Sequence, residues 1–296
     1  MTTLRTETPA TAPDTAVDRD VVVVGGGTGG LSAAVFLARF GFETIVLARG
    51  ASAIEQCAHL ENYLGFPGGI SPGRFLALGR DQATAEGATV VDERVETAQR
   101  IGDTPARFRV ETAADRTVRT TSVLAASAYD GDWLDSFKDL DAADGEPFLV
   151  TDAGRTDIDG LYACGWLTDE TAHQASINAG HGARAALSLI RDDLRERYWP
   201  AVADRYVDWV VDENRYGGDG WNEHVDEWFE REMVPEDEDI DGELLECARQ
   251  DLAVEFLDRC VDEEERKRRD REGQRRLLAQ LDDDIIRAYA ESNIDD

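Results

Sequence analysis

The stretch from Asp20 to Arg49 constrains the fold more than any other part of the chain. Four consecutive valines, Val21 to Val24, make an apolar run suited to a strand buried on both faces. Gly25-Gly-Gly-Thr-Gly-Gly30 follows, then a small-residue helical stretch from Leu31 to Arg39, which Gly41 stops. Thr44 to Ala48 reads as a second strand. Strand, glycine-rich turn, helix and strand form a βαβ dinucleotide unit, with G-x-G-x-x-G at Gly25, Gly27 and Gly30. Gly25 permits the tight turn, Gly27 lets a pyrophosphate approach the backbone, and Gly30 lets the helix pack on the strand. Thr28 and Gly29 belong to the same turn, whose free N–H groups and positive helix end favour phosphate.

One position departs from that pattern. The end of the second strand ordinarily carries an acid that binds a ribose hydroxyl. Here it carries Ala48, followed by Arg49. Arg49 suits a 2′-phosphate, a pyrophosphate or solvent, so the turn alone leaves FAD and NADP both open.

Charge narrows the partners. Asp and Glu outnumber Lys and Arg by 62 to 31 over 296 residues, a formal net charge of −31 spread along the whole chain. That pattern reads as adaptation to concentrated salt, with an acidic partner-binding face as the rival. Nucleic acid is excluded as a partner by repulsion of its phosphates. No apolar run is long enough to span a bilayer, and the N-terminal sequence does not read as a signal peptide, so no membrane role is expected. Cys57, Cys164, Cys247 and Cys260 form no CxxC and no metal-ligand spacing, which points to a reduced, cytoplasmic protein with no metal site.

Residues 1–17 are rich in Thr, Ala, Pro and Asp and read as a disordered tail. Ala51 to Gly73 should be mostly loop, and Ser71 to Gly87 a helix with Phe75, Leu76 and Leu78 as apolar contacts. Thr89 to Val91 reads as a strand, and Arg107–Val110 with Thr117–Thr120 as a small antiparallel layer turning near Ala113 to Asp115. Ser122–Ala126, Phe148–Val150 and Leu161–Cys164 are further strands, and Ala172 to Arg197 is a long helix ended at Trp199-Pro200. Beyond Pro200 the pattern is charged and helical. Leu245, Ala248, Leu252, Phe256 and Cys260 share one face, as do Leu277, Leu278, Leu281, Ile285 and Tyr289, and both stripes are expected to face a core. Glu263 to Arg276 reads as a solvated helix, and Tyr216 to Gly220 as a loop without phosphate chemistry.

Three further segments carry a family resemblance. Glu61-Asn-Tyr-Leu-Gly-Phe-Pro-Gly-Gly-Ile70 resembles the E-N-Y-P-G-F-P-x-G-I stretch of thioredoxin reductases and related FAD proteins. Thr156 to Gly165 resembles their T-x-x-x-G-(V/L)-(F/Y)-A-x-G-D segment. His173-Gln-Ala175 through Ala179-Gly-His-Gly-Ala183 resembles the helix that faces the flavin. The motifs keep the family's order over about residues 20 to 195 and imply FAD as the cofactor. The resemblance implies that Asn62 lies beside the flavin, and that Gln174 and Ala175 begin the helix presenting N–H groups to the ring. It also sets Val95, Ala126 and Gly165 beside the cofactor. Where the family has the acid of A-G-D, this chain has Trp166, so Trp166 and Arg49 become the candidates to replace lost polar contacts by stacking and charge. Cys57 and His59 precede Asn62 and are the catalytic candidates, a thiolate activated by an imidazole, against a loop Cys and His with no task. Cys164 reads as packing; His173 and His181 bracket the flavin-facing helix, and His224 has no evident partner.

The family inserts a nicotinamide-binding domain where this chain has some twenty residues, Ala128 to Pro147, and no second GxGxxG occurs. The expected fold class is therefore α/β: one Rossmann-type FAD-binding domain with a parallel sheet and a small antiparallel layer over residues 18–197. A helical, acidic region over 198–296 follows. The expected activity is an FAD-dependent oxidoreductase reduced by a ferredoxin-like protein or a small substrate. The alternatives are a non-catalytic flavoprotein scaffold that binds a partner through its C-terminal helices, and an NADP-binding protein; a homodimer is compatible with each.

At about 0.1 M salt the Debye length is still roughly 10 Å, so a charge of −31 repels itself. The melting temperature is expected to rise from low to molar salt, and a flat thermal-shift series across that range contradicts the salt-adaptation reading.

Overall fold

Val21 to Val24 are all buried, and the reason is a partner on each side. Strand β1 (Arg19–Val24) lies parallel to β2 (Thr44–Leu47) on one edge and to β6 (Thr117–Ala125) on the other. The fold is a computed structural model describing residues 17–102, 106–128, 130–137, 149–212, 227–235 and 240–293. Residues 1–16 of the expected tail, the loop at 216–220, His224, Phe148 and residues 138–147 lie outside the described residues.

The sheet runs β3 (Thr89–Val91), β2, β1, β6, β5 (Phe108–Thr112), β4 (Val95–Arg100). The first four strands are parallel, and β5 and β4 return antiparallel. Strand β6 joins the two arrangements because its sequence changes character. Thr117 to Thr120 pair antiparallel with β5, whereas Ser122 to Ala125 are continuously buried and accept β7 (Leu161–Ala163) as a parallel neighbour. The expected layer and its turn are thus present. The sequence reading missed β4 because Val95 to Arg100 exposes its charged residues and buries only Val95 and Ala98. Of the expected Phe148–Val150 strand, Leu149 makes one parallel bridge to Thr168.

Helix α1 (Thr28–Phe40) packs on β1 and β2 through Leu31, Ala33, Ala34 and Leu37 and ends at Gly41, whose φ of 100° closes a left-handed cap. Helix α2 (Pro72–Ala85) buries Pro72 and Ala83, while Phe75, Leu76 and Leu78 are only half-buried. Helix α3 (Ala175–Arg197) starts three residues later than expected: the Gln174 N–H bonds to Ala172 O in a turn, and Asn178 N–H is the one that returns to Gln174 O. On one face of the sheet a core gathers Val22, Val24, Ile45, Leu47, Phe108, Val110, Val123, Trp133 and Leu161. Fully burying one such Phe or Leu stabilises the fold by about 1.5–3 kcal/mol.

The chain divides into two compact units, Met1–Pro72 with Gly79–Leu187, and Gly73–Leu78 with Ser188–Asp296. The division falls inside α3. The second unit is centred on Trp199, which begins α4 (Pro200–Arg205), donates its indole N–H to Met233 O at 2.5 Å and meets the Phe229 ring edge-on. Val202, Ala203, Tyr206 and Ala248 are buried in the same unit.

The helices α5 (Gly242–Asp258), α6 (Glu263–Leu278) and α7 (Asp283–Asn293) correct the stripe expectation. On α5, Ala248 is buried, while Leu245 and Leu252 are half-buried. The second stripe is not in a core: Ile285 is 59% and Tyr289 65% exposed, and Leu277, Leu278 and Leu281 are also exposed. Helix α6 needs no burial to form. Asp262 caps it by accepting from Glu265 N, and Lys267–Glu263, Arg269–Glu265 and Arg276–Glu272 pair at i,i+4. Glu265, held by Arg268 and Arg269, has its carboxyl brought down to about 2. The solvated-helix expectation for this run is met.

Candidate functional site

The turn from Gly25 to Gly30 is built from backbone lying on backbone. A Cβ placed on Gly30 would sit 2.0 Å from Gly25 O, and one on Gly25 would sit 2.3 Å from Ala126 O. Gly25 also has a φ of 115°, the left-handed region. Ala126 closes the back of the turn, its N–H donating to Val24 O at 2.8 Å. Gly27 differs: its φ is −82°, and a Cβ there would meet only Ser52 Oγ, at 3.1 Å. Among the described residues no side chain caps α1, and no acid lies in its first turn, so its N-terminal N–H groups are left available to an anion.

From the other side α3 presses against the same turn. A Cβ on Gly182 would lie 2.0 Å from Gly29 O, and one on Gly29 would lie 3.2 Å from Asn178 O and 3.1 Å from Cys164 Sγ. Cys164 is wholly buried, which pushes its thiol up to about 12; it packs and supplies no thiolate, as the sequence suggests. Gly165, at φ 74°, donates its N–H to His181 Nδ1 at 3.3 Å. Burial holds His181 below its ordinary value; Glu170 and Asp169 oppose this, and Arg184 adds to it. The accepting Nδ1 and the lowered pKa agree on a neutral imidazole.

The loop carrying Asn62 is closed by the Leu60–Ile70 bridge, with each N–H donating to the other's carbonyl at 2.9 Å. From it Asn62 Nδ2 donates to Gln174 Oε1 at 2.8 Å. Two segments 112 residues apart in sequence, matched to the flavin only by resemblance, therefore meet at the start of α3.

The remaining candidates are less convergent. Arg49 is exposed. Ala48 is buried, its Cβ beneath Gly26, and its carbonyl lies 3.4 Å from Arg80 Nη2. Arg80 also approaches Asp92, at 3.5 Å. The end of β2 thus carries a guanidinium from α2 where an acid is usual. Nothing in the local sequence marks Arg80, because its place depends on how α2 returns to the sheet. Trp166 is half-buried with its ring 4.6 Å from that of His173. Val95 is buried in the core at the start of β4. Cys57 and His59 are both exposed, and the Cys57 thiol donates to His59 O at 3.2 Å, so it meets the backbone of His59. The His59 imidazole lies 3.6 Å from Glu61.

A parallel sheet, a glycine turn with an open phosphate approach, and a second helix converging on it define a Rossmann-type dinucleotide-binding unit. Residues 20–58 match the FAD binding domain family. The thioredoxin reductase of Aquifex aeolicus (strain VF5) is 36% identical over 112 residues, 36% of this chain and 33% of that protein. The thioredoxin reductase of Streptomyces clavuligerus is 28% identical over 194 residues, 63% of this chain and 52% of that protein. The chain thus spans between a third and about half of these curated relatives. Among solved structures, a thioredoxin reductase from Gloeobacter violaceus superposes with a TM-score of 0.56 at 15% identity, covering 65% of this chain and 99% of that one, a likeness of fold. The cofactor of this site is FAD, and the residues present fit it: the cradle is backbone, a Cβ on Gly27 would meet only the Ser52 hydroxyl, and Asn62 and Gln174 meet within the same unit.

Two expectations follow. Gly27→Ala should leave the melting temperature nearly unchanged yet reduce FAD affinity at least tenfold, because its Cβ meets only the Ser52 hydroxyl and otherwise fills the phosphate approach; Gly30→Ala should unfold the domain several degrees earlier. Thermal shift and FAD titration of both variants separate the two effects. For His181 the folded pKa lies below the unfolded 6.5, so the unfolded chain binds the extra proton first. Stability is complete above pH 6.5 and falls as the pH drops through 6.5 towards the folded value. In urea melts, His181→Gln should remove that part of the pH dependence and leave the remainder.

Proposed function

We propose that this chain is an FAD-dependent oxidoreductase that receives electrons from a ferredoxin-like protein or directly from a small substrate, and not from NADPH. The observation that carries the flavin part is the Asn62–Gln174 hydrogen bond, which joins two segments that resemble flavin-facing ones in the same unit as the glycine turn. The donor part rests on chain length: some twenty residues, Ala128 to Pro147, stand where a nicotinamide-binding domain of at least about 50 residues would be needed.

Bound FAD would supply the electron-accepting ring. The protein's own residues would position it. Gly25 to Gly30 would hold the pyrophosphate, Asn62 and Gln174 would fix the ring's edge, and the peptide N–H groups at the start of α3 would favour negative charge there. Cys57, exposed on the loop before Asn62, is the candidate to exchange electrons with a substrate, with His59 as its neighbour. The acidic surface suits a cytoplasm rich in salt. A second reading, a flavin-bearing scaffold that binds a partner, is favoured by the exposed apolar stripe of Leu281, Ile285 and Tyr289 and by a Cys57 thiol bonded to a carbonyl.

Hydride transfer needs the donor ring held about 3–3.5 Å from the flavin. Anaerobic stopped-flow mixing with NADPH or NADH is therefore expected to bleach the flavin slowly or not at all, while dithionite bleaches it readily. Bleaching by NADPH at tens per second would overturn the donor assignment. A protein that stays colourless after incubation with FAD would overturn the flavin reading.

A further inference from the structure

Asn178 lies one helical turn into α3, its N–H bonded to Gln174 O at 2.9 Å. Its side-chain oxygen is buried and has no hydrogen-bond partner among the described residues. Such an oxygen is unfavourable in a folded protein unless something else donates to it. Its surroundings say what could. Asn178 O is 3.2 Å from a Cβ placed on Gly29, in the phosphate-facing turn of α1, and Asn178 Oδ1 is 4.0 Å from a Cβ placed on Gly165. At the other end, one turn back along α3, stands Gln174 with Asn62. The amide therefore lies between the pyrophosphate cradle and the ring-facing residues. In FAD the part that spans this interval is the ribityl chain, which carries hydroxyl donors.

We propose that Asn178 Oδ1 accepts a hydrogen bond from a ribityl hydroxyl of the bound flavin, making Asn178 a positioning residue that takes up the polar contact Trp166 cannot make. The assignment rests on the FAD reading of the site. It distinguishes the flavin half of the ligand from the adenine half, because ADP uses the same glycine turn and has no ribityl chain.

The test is calorimetric titration of the full chain in molar salt with FAD and with ADP, for the wild type and Asn178→Ala, with melting temperatures of the ligand-free proteins. Asn178→Ala should weaken FAD about tenfold, the usual effect of one lost hydrogen bond. It should leave ADP affinity within twofold and the ligand-free melting temperature unchanged or raised, since an unpartnered buried oxygen is removed. Asn178→Asp, which keeps an acceptor at the same place, should bind FAD more tightly than Asn178→Ala. Equal FAD affinity in wild type and Asn178→Ala overturns the proposal, as does a parallel loss of FAD and ADP or a fall of several degrees in the ligand-free protein, either of which marks a structural role. Wild-type protein that binds ADP and not FAD overturns the flavin reading itself, and the proposal with it.

Discussion

Backbone against backbone at the first turn of α1 is the contact on which the first unit depends. Gly30 against Gly25, Gly25 against Ala126, and Gly182 against Gly29 all leave less room than a Cβ occupies. These approaches bring β1, β6, α1 and α3 to one point. They also leave peptide N–H groups, not side chains, lining the phosphate approach. The same absence of side chains thus serves packing and binding, yet at different glycines: a Cβ on Gly27 would meet no backbone and only the Ser52 hydroxyl, so its smallness serves the ligand.

Around that point the polar groups are arranged differently from the usual dinucleotide pattern. The chain has Ala48 at the end of β2 where an acid is usual; a guanidinium from α2, 3.5 Å from Asp92, reaches the Ala48 carbonyl. The thiol of Cys164 is kept protonated by burial, and the His181 ring is kept neutral while accepting the Gly165 N–H. Cys164 and His181, both beside the glycine turn, therefore add no charge there. The uncapped start of α1 would favour a dinucleotide's phosphates, in a chain whose net charge is −31.

The second unit follows another logic. Its buried set is centred on Trp199 and Phe229, with Arg249 over the Phe229 ring at 5.8 Å and paired with Glu230. Helices α6 and α7 bury nothing of their own. Period alone could not show this. A stripe of Leu, Ile and Tyr at helical spacing looks the same whether it meets a core or solvent, because the spacing records which side chains share a face and not what that face meets.

Much of the first unit was legible in the chain. Val21 to Val24, the glycine turn, the small-residue helix and Ser122 to Ala126 specify a parallel core because each is a local pattern with a local cause. The sequence by itself also determined the acidic surface, the missing acid at Ala48 and the shortness of the Ala128–Pro147 connection. Only the tertiary structure decided that Asn62 meets Gln174, that Arg80 reaches the end of β2, that Asn178 carries a buried oxygen with no partner among the described residues, and that Cys57 bonds to a carbonyl. Each of these is a contact whose partner or setting is fixed by how loops and helices return to the sheet. The backbone dihedrals between the two ends settle that return, and no spacing rule along the chain encodes it.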